Sequence, residues 1–160
     1  MKWHKHSVRL LTIGFLVASG LWSSPASAIQ CRLMVVQPMN FGLYLPATAS
    51  PVDVVGELTV RCQSRPGPFS VSIGPGLSGD QTARTLLGAT PTPLSYNLFR
   101  DPARTELWGD GTPPSFVATG VRPNRGRPTF YNFPIYGRIF ANQAPDSGVY
   151  NDSLLVTVLF

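Results

Sequence analysis

The stretch GVYNDSLLVTVLF, residues 148–160, ends the chain on the pattern of a β-strand. By the two-residue alternation of extended backbone, Leu154, Val156, Val158 and Phe160 fall on one face. Leu155, Thr157 and Leu159 fall on the other. Chain ends are usually loosely held, so an apolar strand here raises the question of what covers it. Left bare beside an unfilled groove, it would be an aggregation hazard. Two readings follow from the residues. Either this is an ordinary central strand with neighbours from earlier in the chain, or it borders a gap that another chain fills.

The rest of the sequence points to the same class of fold. Its 160 residues suit one domain, and 16 prolines and 15 glycines interrupt it every few residues. No sustained 3.6-residue apolar stripe follows residue 28. Short strands joined by turns are therefore expected, and with them an all-β sandwich or barrel. Residues 31–36 read as a first strand, stopped by Pro38. Residues 56–62 alternate Leu58, Val60 and Cys62 with Glu57, Thr59 and Arg61, the pattern of a half-buried strand. Phe69, Val71 and Ile73 mark a third strand, and residues 94–99 a fourth. Residues 116–121 and 130–140 follow, the latter interrupted by Pro134, which predicts an edge or a bulge there.

The beginning of the chain has a different character. Lys2, Lys5 and Arg9 precede an apolar run over residues 10–21, and Ala26-Ser27-Ala28 offers a small-x-small cleavage site. The run is short for a membrane span of about 20 apolar residues. Residues 1–28 are read as a signal peptide and 29–160 as the domain, which would be exported through the periplasm to the cell surface or the medium. A cleavage after Gly20 is the weaker alternative. Removing the signal takes away both lysines, Arg9 and both histidines, leaving ten arginines against eight carboxylates and a net charge of +2 in place of +5. That charge, spread over several elements, carries no nucleic-acid footprint. In an exported chain the two cysteines, Cys31 and Cys62, most simply form a disulfide. Closing that loop would contribute roughly 3–4 kcal/mol on the chain-entropy model. Metal ligation or a redox pair is the competing reading, without a histidine or a CxxC spacing to support it.

The missing residues narrow the chemistry. Without histidine or lysine the domain cannot build a Ser-His-Asp triad, a Cys-His pair or a histidine-ligated zinc site. A glycosidase needs only two carboxylates. Here, however, Asp80, Asp101, Asp110 and Asp146 sit beside Gly, Pro or Ser, where aspartate is a turn residue. No catalytic residue, metal or cofactor is expected. Candidate ligand contacts are Trp108 in LWGDG, as a sugar platform where the commoner role of such an aromatic is to fill the sandwich interior, and Arg122, Arg125 and Arg127 in RPNRGRP, as a site for anions where the plainer reading is a solvated loop.

Several motifs now fall into order. Cys31 opens the domain, and FGLY (residues 41–44), GELTVRC (56–62), LSYNLFRD (94–101), LWGDG (107–111), YGRI (136–139) and the terminal strand follow. Together they resemble the spore coat protein U domain family, which includes subunits of archaic chaperone–usher pili. The resemblance covers essentially all of residues 29–160. It implies an immunoglobulin-like β-sandwich lacking its final strand, completed by donor-strand complementation. A periplasmic chaperone would supply that strand first, and a neighbouring pilus subunit after passage through an outer-membrane usher. Cys31 and Cys62 would tie the first strand to the second. Leu154, Val156, Val158 and Phe160 would face the acceptor groove. Only Ile29 and Gln30 precede Cys31 after cleavage, so the chain is expected to accept a strand without donating one, as a tip or end subunit does. The implied function is a non-catalytic subunit of a surface fibre, or a spore-coat-like protein, acting in adhesion and biofilm formation. The alternative is a stand-alone secreted module binding carbohydrate or another surface.

Overall fold

Alternating apolar residues between proline- and glycine-rich turns become eight strands among the residues described by the computed structural model, 29–160 except Thr48 and Arg125. They are β1 Ile29–Val36, β2 Val52–Ser64, β3 Gly67–Ile73, β4 Thr85–Leu86, β5 Leu94–Phe99, β6 Ala118–Arg122, β7 Thr129–Ile139 and β8 Val156–Leu159. A single 3-10 turn, Gly76–Ser78, is the helical element described. The proposed signal peptide lies outside the described residues.

The strands form two antiparallel sheets. One has five strands in the order β1-β2-β7-β5-β4, the other three in the order β6-β3-β8. Their facing sides make the core: Leu58, Val60 and Cys62 of β2, Phe69, Val71 and Ile73 of β3, Tyr96 and Leu98 of β5, Ile135 and Ile139 of β7, all buried. This is an all-β, immunoglobulin-like sandwich. Cys31 stands opposite Cys62 in the β1–β2 register, and the two form the disulfide.

Some elements differ from their sequence pattern. The terminal strand is confined to Val156–Leu159 and, among the described residues, pairs with β3 alone at the edge of its sheet rather than as a central strand. Phe116 lies outside β6 and bridges to Trp108. Pro134 keeps register with Glu57 without a bulge, inside a strand that has neighbours on both sides. The reason is local: β5 covers only Tyr136–Ile139 of β7. Among the described residues the strand is flanked at Pro134 by β2 alone, and the missing N–H interrupts no ladder on the open side.

Two side chains stitch the sheets where strands are short. Trp108 is fully buried. Its backbone N–H donates to Leu98 of β5, and its indole N–H donates to the Val71 carbonyl of β3 at 2.9 Å. Arg84, also fully buried, faces neutral acceptors. Its guanidinium donates to the carbonyls of Ile73, Gly74, Gln81 and Trp108 and to Asn97 Oδ1, at 2.8–3.3 Å. Burial lowers its pKa from the ordinary arginine value, opposed by the fields of Tyr96 and Asp152. Arg84→Met would strand several buried carbonyls, each costing about 1–3 kcal/mol when left unsatisfied. A loss of at least about 3 kcal/mol in the urea unfolding free energy is expected on that scale.

Candidate functional site

Beyond β1 the chain leaves the sheet. Gln37 N–H still donates to Glu57, and Ala47 N–H donates to Gln143. Between them, residues 38–46 make no backbone–backbone hydrogen bond among the described residues. Two glycines on the inner face let this segment lie close. A Cβ on Gly56 would meet Met39 Cγ at 2.8 Å, and one on Gly137 would collide with Met39 Cε and approach the Phe41 ring at 2.9 Å. Phe41 in turn packs edge-on against Tyr96, ring centres 5.8 Å apart. The Tyr44 hydroxyl accepts the Gln143 N–H at 2.9 Å. The Gln143 amide pairs with both the N–H and the carbonyl of Ser95. The FGLY segment is thereby held as a wall beside the core.

A second wall precedes β8. Asn151 exchanges two backbone hydrogen bonds with Leu87. Asp152 then accepts from the Leu77 N–H (2.7 Å), the Ser153 N–H (2.7 Å) and the Tyr96 hydroxyl (2.6 Å). Burial, and next the hydrogen bond to Asp152, push the Tyr96 phenol upward, so it stays protonated and donates. Gly76 has a left-handed backbone and no room for a Cβ beside the Asp152 carboxylate.

Between the walls lies a cavity of about 910 Å³, roughly six times the 150 Å³ apolar void that an engineered core can leave empty. Its floor is the inter-sheet core: Leu58, Ile73, Leu98, Ile135 and Ile139. Leu43 and Val149 stand at its lips, 80% and 82% exposed. The opening adjoins β8, whose only partner strand among the described residues is β3. An apolar pocket beside an edge strand and the irregular backbone of residues 38–46 suits an extended chain segment, because strand addition draws affinity from backbone bonds and specificity from alternate side chains.

The residues singled out from the sequence fall in different places. Leu154 and Val156 line the cavity. Val158 packs against the core further along β8, and Phe160 is 58% exposed past the strand end. Trp108 is no ligand platform, because its ring is wholly inside and its N–H is bonded to Val71. Arg122 is likewise unavailable. It is buried, and its guanidinium donates to the carbonyls of Pro123 and Arg127, closing the β6–β7 loop. Arg127 is exposed, and Arg125 lies outside the described residues. Sequence reasoning missed the cavity walls of residues 38–46 and 145–152 and the anchors Gln143 and Asp152. The pattern G-x-Y-x-D at residues 148–152 was the one signal for Asp152.

The carboxylates hold turns. Asp80 accepts from the Thr82 N–H and hydroxyl, and Asp110 from the Gln81 amide and the Thr112 N–H. Those bonds, led by the Thr82 hydroxyl and the Gln81 amide, lower both acids, Asp110 to about 2. The hydrogen bond from Arg138 lowers Asp53. A glycosidase acid needs the opposite shift.

The model of the spore coat protein U domain matches residues 18–157, most of the chain. The chain belongs to the spore coat protein U domain family. It is 31% identical over 136 residues to Protein U of Myxococcus xanthus, a match spanning 76% of this chain and 71% of that protein. It is also similar to a chain in the crystal structure of the CsuC–CsuE chaperone–tip adhesion subunit pre-assembly complex, from archaic chaperone–usher Csu pili of Acinetobacter baumannii. That similarity has a TM-score of 0.54 and 25% identity, and covers 83% of this chain. The chain spans 40% of the length of that solved chain. With this family and this neighbour, the spore coat U domain described here is a structural, non-enzymatic protein.

Two substitutions probe the cavity. Val156→Asp puts a carboxylate into its apolar lining, and burying an unpaired charge there is expected to abolish accumulation of folded protein on expression. Normal levels of folded variant would show that Val156 does not face a buried groove. Gly137→Val overfills the seat of Met39 and Phe41, with an expected loss of about 1–3 kcal/mol in denaturant unfolding.

Proposed function

We propose that this chain is a non-catalytic subunit of a secreted surface fibre of the chaperone–usher type, acting in adhesion and biofilm formation. The observation that carries the reading is the apolar cavity of about 910 Å³ opening beside the edge strand β8. A gap of that size, continuous with the core, calls for an apolar segment from outside. A periplasmic chaperone would fill it first and a neighbouring subunit later, with an outer-membrane usher between the two steps. Both the family and the similarity to a subunit seen with its chaperone support this reading.

The other end of the domain supports a reading of its position in the fibre. β1 begins at Ile29, which already pairs with Ser64. Any donor segment must therefore precede residue 29, where the signal peptide is proposed to be cut. On that reading the subunit accepts a strand and gives none, as at a fibre tip.

Expression of the full chain with and without its cognate chaperone tests the assignment. A stable 1:1 complex is expected, with little soluble protein in the chaperone's absence. A folded monomer indifferent to the chaperone would favour a stand-alone secreted module instead. N-terminal sequencing of the exported protein should begin at Ile29, and a start well upstream would overturn the acceptor-only position.

A further inference from the structure

The nine described arginines of the domain divide by partner. Arg84 and Arg122 are buried against carbonyls. Arg100 pairs with Glu106, and Arg104 and Arg138 both pair with Asp53. Arg32, Arg61, Arg65 and Arg127 remain, with no carboxylate partner among the described ion pairs. The register brings these four to one end of the sandwich, where β1 starts and the β2–β3 and β6–β7 connections turn. None of the eight carboxylates falls in β1, in β2 after Glu57, in β3, or anywhere from β6 through β7.

The outer face of the five-stranded sheet concentrates this charge. Arg32 stands directly opposite Arg61, and Arg61 directly opposite Phe130, making one row across β1, β2 and β7. Phe130 is 59% exposed. Like charges placed opposite each other are destabilising, and an anion between them removes that cost. The neighbouring rows are neutral hydrogen-bonding groups: Gln30 with Gln63, and Thr59 with Asn132. With strands about 4.8 Å apart, the three-strand row spans about 10 Å.

We propose that this face binds an acidic, carboxylate-bearing polysaccharide. Guanidinium groups take carboxylates in forked geometry. The exposed Phe130 ring offers a flat apolar surface to a sugar ring. The flanking amides and hydroxyl can donate to or accept from sugar hydroxyls. The row lies on the outer side of the sheet, whereas the cavity opens on its inner side, past Leu58 and Ile135. Both can be occupied at once, and the inference stands apart from the fibre assignment.

Retardation of the protein, purified with whatever chaperone it retains, in gels containing polygalacturonate tests the proposal. Neutral dextran and phosphatidylglycerol vesicles are the comparison probes. Retardation by polygalacturonate and none by dextran is expected. The double variant Arg32→Gln, Arg61→Gln should weaken binding by about tenfold or more, with an unchanged circular dichroism spectrum because both side chains lie on the outer face. Phe130→Ala should weaken it several-fold without altering its salt dependence. Three outcomes would overturn the proposal: wild-type affinity in the double variant, indifference to Phe130→Ala, or binding to the vesicles but not to polygalacturonate.

Discussion

The core forms between a five-stranded sheet and a three-stranded one, and Leu58, Ile135 and Ile139 of that core face a cavity between two irregular segments. Most other features of the domain answer that imbalance. Edge strand β8 cannot shield the gap alone, since four residues of strand present few side chains. Two irregular segments therefore border it, one after β1 and one before β8.

Those segments have no ladder of their own, and side-chain anchors hold them. Gln143 fastens the first to the ends of β5 and β7, and Asp152 fastens the second to the 3-10 turn and to Tyr96. Arg84 and Trp108 act in the same way further along, joining strands of one sheet to carbonyls of the other. Buried polar groups of this kind are stable only when fully satisfied. Here each takes several partners at once, so a few residues position long stretches of loop.

The two faces of the larger sheet have separate characters. Inside, apolar residues border the cavity, and the geometry suits an extended segment. Outside, side chains of the same strands line up in rows across the sheet. Arg32, Arg61 and Phe130 stand together only because three strands far apart in sequence share a register. One sheet can therefore serve assembly on one side and surface contact on the other.

Alternation along residues 56–62, 69–73 and 94–99, with proline and glycine between, was sufficient to read most of the strands and an all-β sandwich or barrel, and the family resemblance narrowed that to a sandwich. The pairing of Cys31 with Cys62 and the missing catalytic side chains were legible there too, because composition bounds chemistry without reference to shape. Trp108 fills the interior, the commoner place for an aromatic in a strand-rich domain, and is not a ligand contact. Arg122 departs from the solvated loop that its neighbours suggest; the burial of both depends on carbonyls supplied by β3 and by the β6–β7 loop. The cavity could not be read from any local pattern, since its walls are held by contacts between residues about a hundred positions apart, such as Tyr44 with Gln143. Local alternation decides which face of a strand is apolar. Only the tertiary arrangement decides whether that face meets another strand or an opening, because the number of strands in each sheet is a property of the whole chain.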